Sequence, residues 1–147
     1  SVREISNNIN PQILTKYGLI AALELFFETK QQLIDITISG NLGTFRFDQT
    51  KETMTYNIIK EAFNNTLKYA QATRIDLAIE KVGSAIFVAY KDNGIGFDYD
   101  EKINAANLNL GLLSIKNRIN TMDGEYTIGT KPGEGFVLEF SFLHQNL

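Results

Sequence analysis

The chain contains no cysteine and only one histidine, His144. The first absence excludes disulfides, thiol catalysis and cysteine-type zinc sites. The second excludes a multi-histidine metal centre and a Ser-His-Asp triad. No apolar run approaches the roughly 20 residues needed to span a bilayer, and no signal-peptide pattern is visible. There is also no basic tract, and the formal net charge is -3, so a nucleic-acid partner is not expected. What remains is 147 residues, 44% hydrophobic and 21% charged, the composition of one globular domain with a real core. The opening "SVREISNNI" reads like the middle of a longer protein, and a piece of a larger chain is expected.

Of the two prolines, Pro11 suits the first turn of a helix, and "GLIAALELFFETKQQ" carries Leu19, Ala22, Leu23 and Phe26 at helical spacing. "LIDITIS" alternates and predicts a half-buried strand, with Phe45 and Phe47 on its hairpin partner after a turn at Asn41 to Gly43. A long helix is expected from Asp48 or Thr50, both good caps, to about Ala70. "RIDLAIE" and "AIFVAYKD" follow as strands; the second is apolar on both faces and is placed centrally. A last helix is expected from about Gly111 to Met122, stopped by Asp123-Gly124. Two strands around a Pro132-Gly133 turn close the chain. This order predicts an α+β fold, a two-layer sandwich with helices on one face of a mixed, mostly antiparallel sheet.

On a wheel of the long helix, Glu61, Asn65 and Lys68 share one narrow face. Ile59, Ala62, Phe63, Thr66, Leu67 and Ala70 fall on the other, packed face. A carboxylate can orient or deprotonate a nucleophile. An amide oxygen suits magnesium that keeps most of its waters, and a lysine offers a point charge to phosphate. Taken alone, the stripe is also what any amphipathic helix turns to solvent.

Asp92 ends a strand and leads "NGIGF", where Gly94 and Gly96 allow positive φ and close approach to a flat ligand. An acid there can accept a hydrogen bond from an exocyclic amine such as adenine's. A tight turn capped by Asp92 is the plainer alternative. The spacing is not the dinucleotide-binding GxGxxG. Gly111 is placed in the first turn of the last helix, where free N–H groups bind phosphate, with Lys116 and Arg118 nearby. Residues 97 to 110 fit a lid, or else a surface loop.

Glu61-x-x-x-Asn65, Asp92-x-Gly94-x-Gly96, Gly111-Leu112 and Gly133-x-Gly135 together resemble the ordered boxes of the GHKL ATPases. "NIIKEAFNNTLKYAQA" and "GLLSIKNRINTMDGEYTIGTKPGEGFVLEFSF" look most like the catalytic domain of short-lid sensor histidine kinases, the class of nitrate sensors and the desaturase thermosensor. Residues 1–30 resemble the end of a dimerisation helix and its linker, leaving 31–147 as the catalytic domain with a Bergerat-type ATP-binding fold.

The resemblance implies ATP and Mg2+ as ligands. Asn65 would hold the metal and Glu61 would act as or orient the base. Lys68 would sit near the phosphates, and Asp92 would read the adenine amine in a pocket shaped by Gly94 and Gly96. Amides near Gly111 and Leu112 would touch phosphate, with Tyr69, Gly133 and Gly135 completing the nucleotide site. The γ-phosphoryl group would pass to a histidine on a separate dimerisation domain, and then to a response regulator. The resemblance implies a cytoplasmic location, as the inner part of a membrane-anchored sensor or free of it, with no direct membrane contact.

The sequence departs from the family pattern at several points. The acceptor histidine is absent. Tyr69 stands where histidine is usual and can still donate a hydrogen bond. Asn109 replaces a glycine and is expected to cap the last helix. Phe136 replaces a threonine whose hydroxyl helps Asp92, and burial is its expected role. These departures keep two alternatives open: a scaffold that binds nucleotide weakly or not at all, and a serine kinase of the anti-sigma type.

Overall fold

The computed structural model describes residues 11–96, 105–131 and 133–145. Its elements are α1 (Pro11–Tyr17), α2 (Leu19–Glu28), β1 (Asp35–Gly40), α3 (Gln49–Asn65), β2 (Arg74–Val82), β3 (Ala85–Asp92), α4 (Ala105–Thr121), β4 (Glu125–Lys131) and β5 (Gly135–Leu143). A π-helical turn, Thr66–Ala70, continues α3.

The strands form one sheet in the order β1-β2-β3-β5-β4. β1 runs parallel to β2, and the other neighbours are antiparallel. This is the expected mixed, mostly antiparallel α+β sheet. Strand parity decides which side is covered. Ile75, Leu77 and Ile79 of β2, Ile86, Val88 and Tyr90 of β3, and Phe136, Leu138 and Phe140 of β5 are buried on one side. There they meet Ile58, Ile59, Ala62 and Phe63 of α3 and Leu112, Ile115 and Ile119 of α4 in one core. Each fully buried Ile, Leu or Phe contributes about 1.5–3 kcal/mol.

β3 is central, as expected, but only one of its faces is buried: Phe87 on the other side is 48% exposed. Apolar content alone overstated its burial. The hairpin expected for Phe45 and Phe47 does not form. Parallel strands cannot be joined by a tight turn, and α3 is the crossover between β1 and β2. The chain leaves β1 at Gly40, whose φ is 134°, and a Cβ there would stand 1.8 Å from the Ile79 carbonyl oxygen. The 45–48 segment then reaches the end of β5. The Phe47 ring lies 5.8 Å from that of Phe142, the Phe45 ring 5.2 Å from His144, and Asp48 N–H bonds the His144 carbonyl at 3.2 Å.

Asp48 caps α3 as predicted, its carboxylate accepting from Lys51 N–H at 3.1 Å. The helical run ends at Ala70 as predicted, but its regular α part stops at Asn65 and the last five residues form the π turn. The π turn that follows has i→i+5 spacing, which shifts side-chain phase away from the α wheel. Thr66 and Ala70 of this turn are buried as expected, whereas Leu67, at the edge of the expected packed face, is 45% exposed. α4 ends where predicted: Asp123 has φ 54°, and Gly124 N–H bonds the Ile119 carbonyl at 2.9 Å.

At the N-terminal side, Phe26 and Phe27 of α2 pack edge-on against Phe63, with ring centroids 5.6 and 5.3 Å apart. Arg46 ties α1 to this body. Its guanidinium holds the Glu52 carboxylate at 2.9 Å and donates to the carbonyls of Leu14, Thr15 and Lys16 at the end of α1. Glu52 is fully buried.

Candidate functional site

Asp92 lies two residues beyond Tyr90 and shares its parity, so it points toward the helices, not to solvent. It is buried, and its hydrogen bonds come from three separate elements. Oδ1 accepts from Gly94 N–H at 2.9 Å and from Phe136 N–H at 3.1 Å. Oδ2 accepts from the Thr66 hydroxyl at 2.9 Å. A carboxylate offers roughly four acceptor positions. The described residues fill three of them, which leaves one on Oδ2.

The glycines around Asp92 have distinct reasons. Gly96 has positive φ, 76°, as expected, but Gly94 does not. Gly94 is required by contact: a Cβ there would stand 2.3 Å from the Ala70 carbonyl oxygen. That carbonyl accepts from Ile95 N–H at 2.7 Å, so the loop is sealed onto the end of the π turn. Gly135 has φ 82°, and a Cβ on it would stand 2.4 Å from the Asp92 carbonyl oxygen. Gly133 N–H bonds the Ile95 carbonyl, which links the two glycine pairs. Asn93, not anticipated as a site residue, anchors the loop from outside. Its side-chain oxygen accepts from Thr73 and Arg74 N–H at 2.9 and 2.8 Å.

The helical stripe meets α4 directly. Gly111 lies so close that a Cβ would stand 2.6 Å from Glu61 Oε1 and 3.3 Å from both amide atoms of Asn65. Asn65 is 4% exposed, and its Nδ2 has no hydrogen-bond partner among the described residues. Glu61 is half-buried, and Lys68 is exposed on the π turn. Tyr69 is partly buried against the core.

Two sequence expectations fail at α4. The helix begins at Ala105, so Gly111 is inside it and not in its first turn. Its N–H serves the helical ladder, as does that of the buried Leu112, and neither amide is offered to phosphate in this conformation. Asn109 is not a cap; it is an exposed residue within the helix. Of the lid expected over 97 to 110, the 105–110 part is helical, and 97–104 lies outside the described residues.

The donor set fits magnesium only of a particular kind. No cluster of three or more His, Cys, Asp or Glu side chains occurs among the described residues, so a closed carboxylate cage is not available there. Asn65 presents a buried carboxamide with an orphaned atom, and amide orientation follows from whatever partner arrives. A cation held by one amide oxygen and its own waters suits that group.

Thr66 and Tyr90 join the site through hydrogen bonds that the sequence reading did not anticipate. Thr66 was assigned to the packed face, where it is indeed 1% exposed. A hydroxyl on an otherwise apolar face was the available signal, since a buried polar atom needs a partner. Tyr90 is fully buried, and its hydroxyl lies 2.7 Å from that of Thr66. Burial holds the phenol neutral by pushing its pKa well up. Phe136 is buried as expected, 6.2 Å from the Tyr90 ring.

The histidine kinase-, DNA gyrase B- and HSP90-like ATPase family matches residues 50–146. Sensor histidine kinase ComP of Bacillus subtilis is 33% identical over 136 residues, 91% of this chain and 18% of that protein. The histidine-protein kinase/phosphatase DegS of Brevibacillus brevis is 32% identical over 142 residues, 95% of this chain and 36% of that protein. The chain thus spans well under half the length of these curated relatives. Among solved structures, the blue-light activated histidine kinase of Erythrobacter litoralis EL346 superposes with a TM-score of 0.69 at 16% identity, covering 86% of this chain and 42% of that one. The catalytic domain of histidine kinase ThkA superposes with a TM-score of 0.61 at 19% identity, covering 88% of this chain and 93% of that one. These show a shared fold. The match over residues 50–146, with relatives more than 30% identical over nine-tenths of the chain, shows that the chain belongs to the histidine kinase-, DNA gyrase B- and HSP90-like ATPase family.

Proposed function

We propose that this chain is the ATP-binding catalytic part of a sensor histidine kinase, donating the γ-phosphoryl group of ATP to a histidine on a separate dimerisation domain. One observation carries the reading: Asp92 is a buried carboxylate, and the described residues take three of its acceptor positions and leave one, beside a glycine-rich loop. That remaining acceptor suits the exocyclic amine of adenine, which guanine replaces with a carbonyl oxygen.

In this reading Asn65 holds Mg2+, which when bound neutralises charge on the phosphates. Glu61 orients or deprotonates the incoming imidazole, and Lys68 adds positive charge near the phosphate chain. Gly96, Gly133 and Gly135 let the backbone pass close to the base, Gly94 closes the loop behind it, and Tyr69 flanks the phosphate side. Catalysis is then mainly positioning and charge stabilisation. Gly111 and Leu112 contribute amides only if the first turns of α4 unwind. Residues 1–30 are the end of the dimerisation helix and its link, and 31–147 the catalytic domain. A response regulator receives the phosphoryl group downstream, neither nucleic acid nor membrane is contacted by this part, and the location is cytoplasmic.

The crossing of Gly111 over Glu61 and Asn65 favours a second reading, a scaffold that binds nucleotide weakly or not at all. Titration of the chain with a non-hydrolysable ATP analogue, with and without magnesium, separates the two. Saturable, magnesium-dependent binding supports the kinase reading. No saturation at millimolar nucleotide supports the scaffold.

A further inference from the structure

The Thr66 hydroxyl has one proton and three neighbours that could take it. The Ala62 carbonyl lies at 3.2 Å, Asp92 Oδ2 at 2.9 Å and the Tyr90 hydroxyl at 2.7 Å. As a carboxylate, Asp92 can only accept, and charge-assisted bonds are about twice as strong as neutral ones. The proton therefore goes to Asp92. With its only proton spent, Thr66 must accept from Tyr90, whose hydroxyl then donates. The Ala62 carbonyl is meanwhile served by Thr66 N–H. The chain has one direction, Tyr90 to Thr66 to Asp92, and all three side chains are buried.

This order has a consequence for the ligand. A carboxylate with two open positions on Oδ2 can rotate, or take up a proton and become a donor. One held by Thr66 keeps a single acceptor in a defined direction. Adenine presents a donor at the six-position and guanine an acceptor. Phe136 contributes a backbone N–H to Asp92 but no hydroxyl, so among the described residues the side-chain hydroxyl on this carboxylate comes from the π turn after α3 and not from β5.

We propose that Thr66, held by Tyr90, is a positioning residue for purine selection, fixing the Asp92 carboxylate as an acceptor for an exocyclic amine and against a carbonyl oxygen. This rests on the reading of Asp92 as a purine-recognising group. The alternative role for Thr66 is a plain tie between helix and sheet.

The two roles separate by measuring Mg-ADP and Mg-GDP affinities for the parent chain and for Thr66→Val, Thr66→Ala and Thr66→Ser, with far-UV circular dichroism on each. Valine keeps the shape and removes the hydroxyl; alanine suits the helix if valine packs badly; serine restores the hydroxyl. Loss of one such bond corresponds to a roughly fivefold to tenfold weaker ADP affinity. The expected result is that fall in the folded valine or alanine variant, little change for GDP, and recovery with serine. Tyr90→Phe should show a smaller fall of the same kind. Equal weakening for both purines, unchanged ADP preference, or failure of serine to restore it would reduce Thr66 to a structural tie. If the parent itself shows no saturable ADP binding, the purine reading fails first, and with it the ground for this assignment.

Discussion

Gly111 of α4 sits against Glu61 of α3, so close that a Cβ would stand 2.6 Å from the carboxylate oxygen Oε1. α3 and α4 therefore meet at Glu61 through a residue that has no side chain. Glu61 Oε1 is the far end of a flexible chain and can swing aside, whereas the Asn65 amide at 3.3 Å must give slightly. Alanine also favours a helix over glycine by about 1 kcal/mol. Gly111→Ala should leave the melting temperature unchanged or raise it by up to about 3 °C. It should weaken nucleotide binding by displacing Glu61 and stiffening α4. Calorimetry and nucleotide titration check the two halves, and a variant that binds like its parent would contradict the second.

Asn65→Ala removes a carboxamide whose Nδ2 has no hydrogen-bond partner among the described residues. Stability should therefore change by no more than about 1 kcal/mol. Magnesium-dependent nucleotide affinity should disappear. Urea unfolding beside a magnesium titration is the measurement. Retention of the metal dependence would remove Asn65 from the metal role.

Asp92→Ala strips three donors of their acceptor: Gly94 N–H, Phe136 N–H and the Thr66 hydroxyl. Each buried donor left unserved costs about 1–3 kcal/mol, so this variant should be markedly unstable. Asp92→Asn keeps the shape and is the better functional probe. It should lower ADP affinity and narrow the preference over GDP, because an amide can donate to a carbonyl oxygen. Fluorescence competition between the two nucleotides tests this, and an unaltered preference would count against Asp92 as the purine reader.

Arg46→Ala should loosen α1. It leaves the buried Glu52 with Phe47 N–H, at 3.3 Å, and without its ion pair, and uncaps the carbonyls of Leu14, Thr15 and Lys16. Arg46 is 37% exposed at its side chain, so the loss is discounted for screening to about 2 kcal/mol. Arg46→Lys should rescue little, since an ammonium cannot hold a carboxylate and a row of carbonyls together. Hydrogen exchange at α1 amides should accelerate in both variants, and unchanged protection would disprove the clamp.

Tyr56 of α3 is buried with its ring 6.0 Å from that of Phe26 of α2, its hydroxyl has no hydrogen-bond partner among the described residues, and desolvation pushes its pKa up to about 12. The unfolded chain releases that proton near the ordinary value of 10, while the folded chain keeps it to higher pH. Tyr56 thus contributes to a stability that is full below about pH 10 and falls as pH rises toward 12. Tyr56→Phe should be neutral or stabilising at pH 7 and should reduce the alkaline decline, with Tyr90 still contributing its own share. Thermal melts across pH 8 to about 12 provide the check; an identical decline would mean Tyr56 carries none of it.

The parts of the site that could be read in advance follow local periods. Glu61 and Asn65 are four apart on one helix, and Asp92 follows Tyr90 by two on one strand, so both orientations depend on backbone repeat alone. Thr66 lies on the packed face as its spacing implies, but the partner of its hydroxyl is not legible in that spacing, because Asp92 stands 26 positions away on a strand. The hairpin of Phe45 and Phe47 was misjudged because alternation marks a strand without naming its neighbour. The sequence places Gly111 in the first turn of its helix, but it lies inside the helix, where α4 crosses α3, a contact that no local spacing encodes.

By itself the order of residues determined the α+β class, the acid–amide stripe and the aspartate-led glycine turn, since each is written in spacings of two to four residues. Only the tertiary structure decided the π turn that begins at Thr66, the three donors on Asp92, the α4 crossing at Gly111 and the Arg46–Glu52 clamp. Those depend on segments far apart in sequence meeting in a packed core, where side chains must find partners wherever close packing has put them.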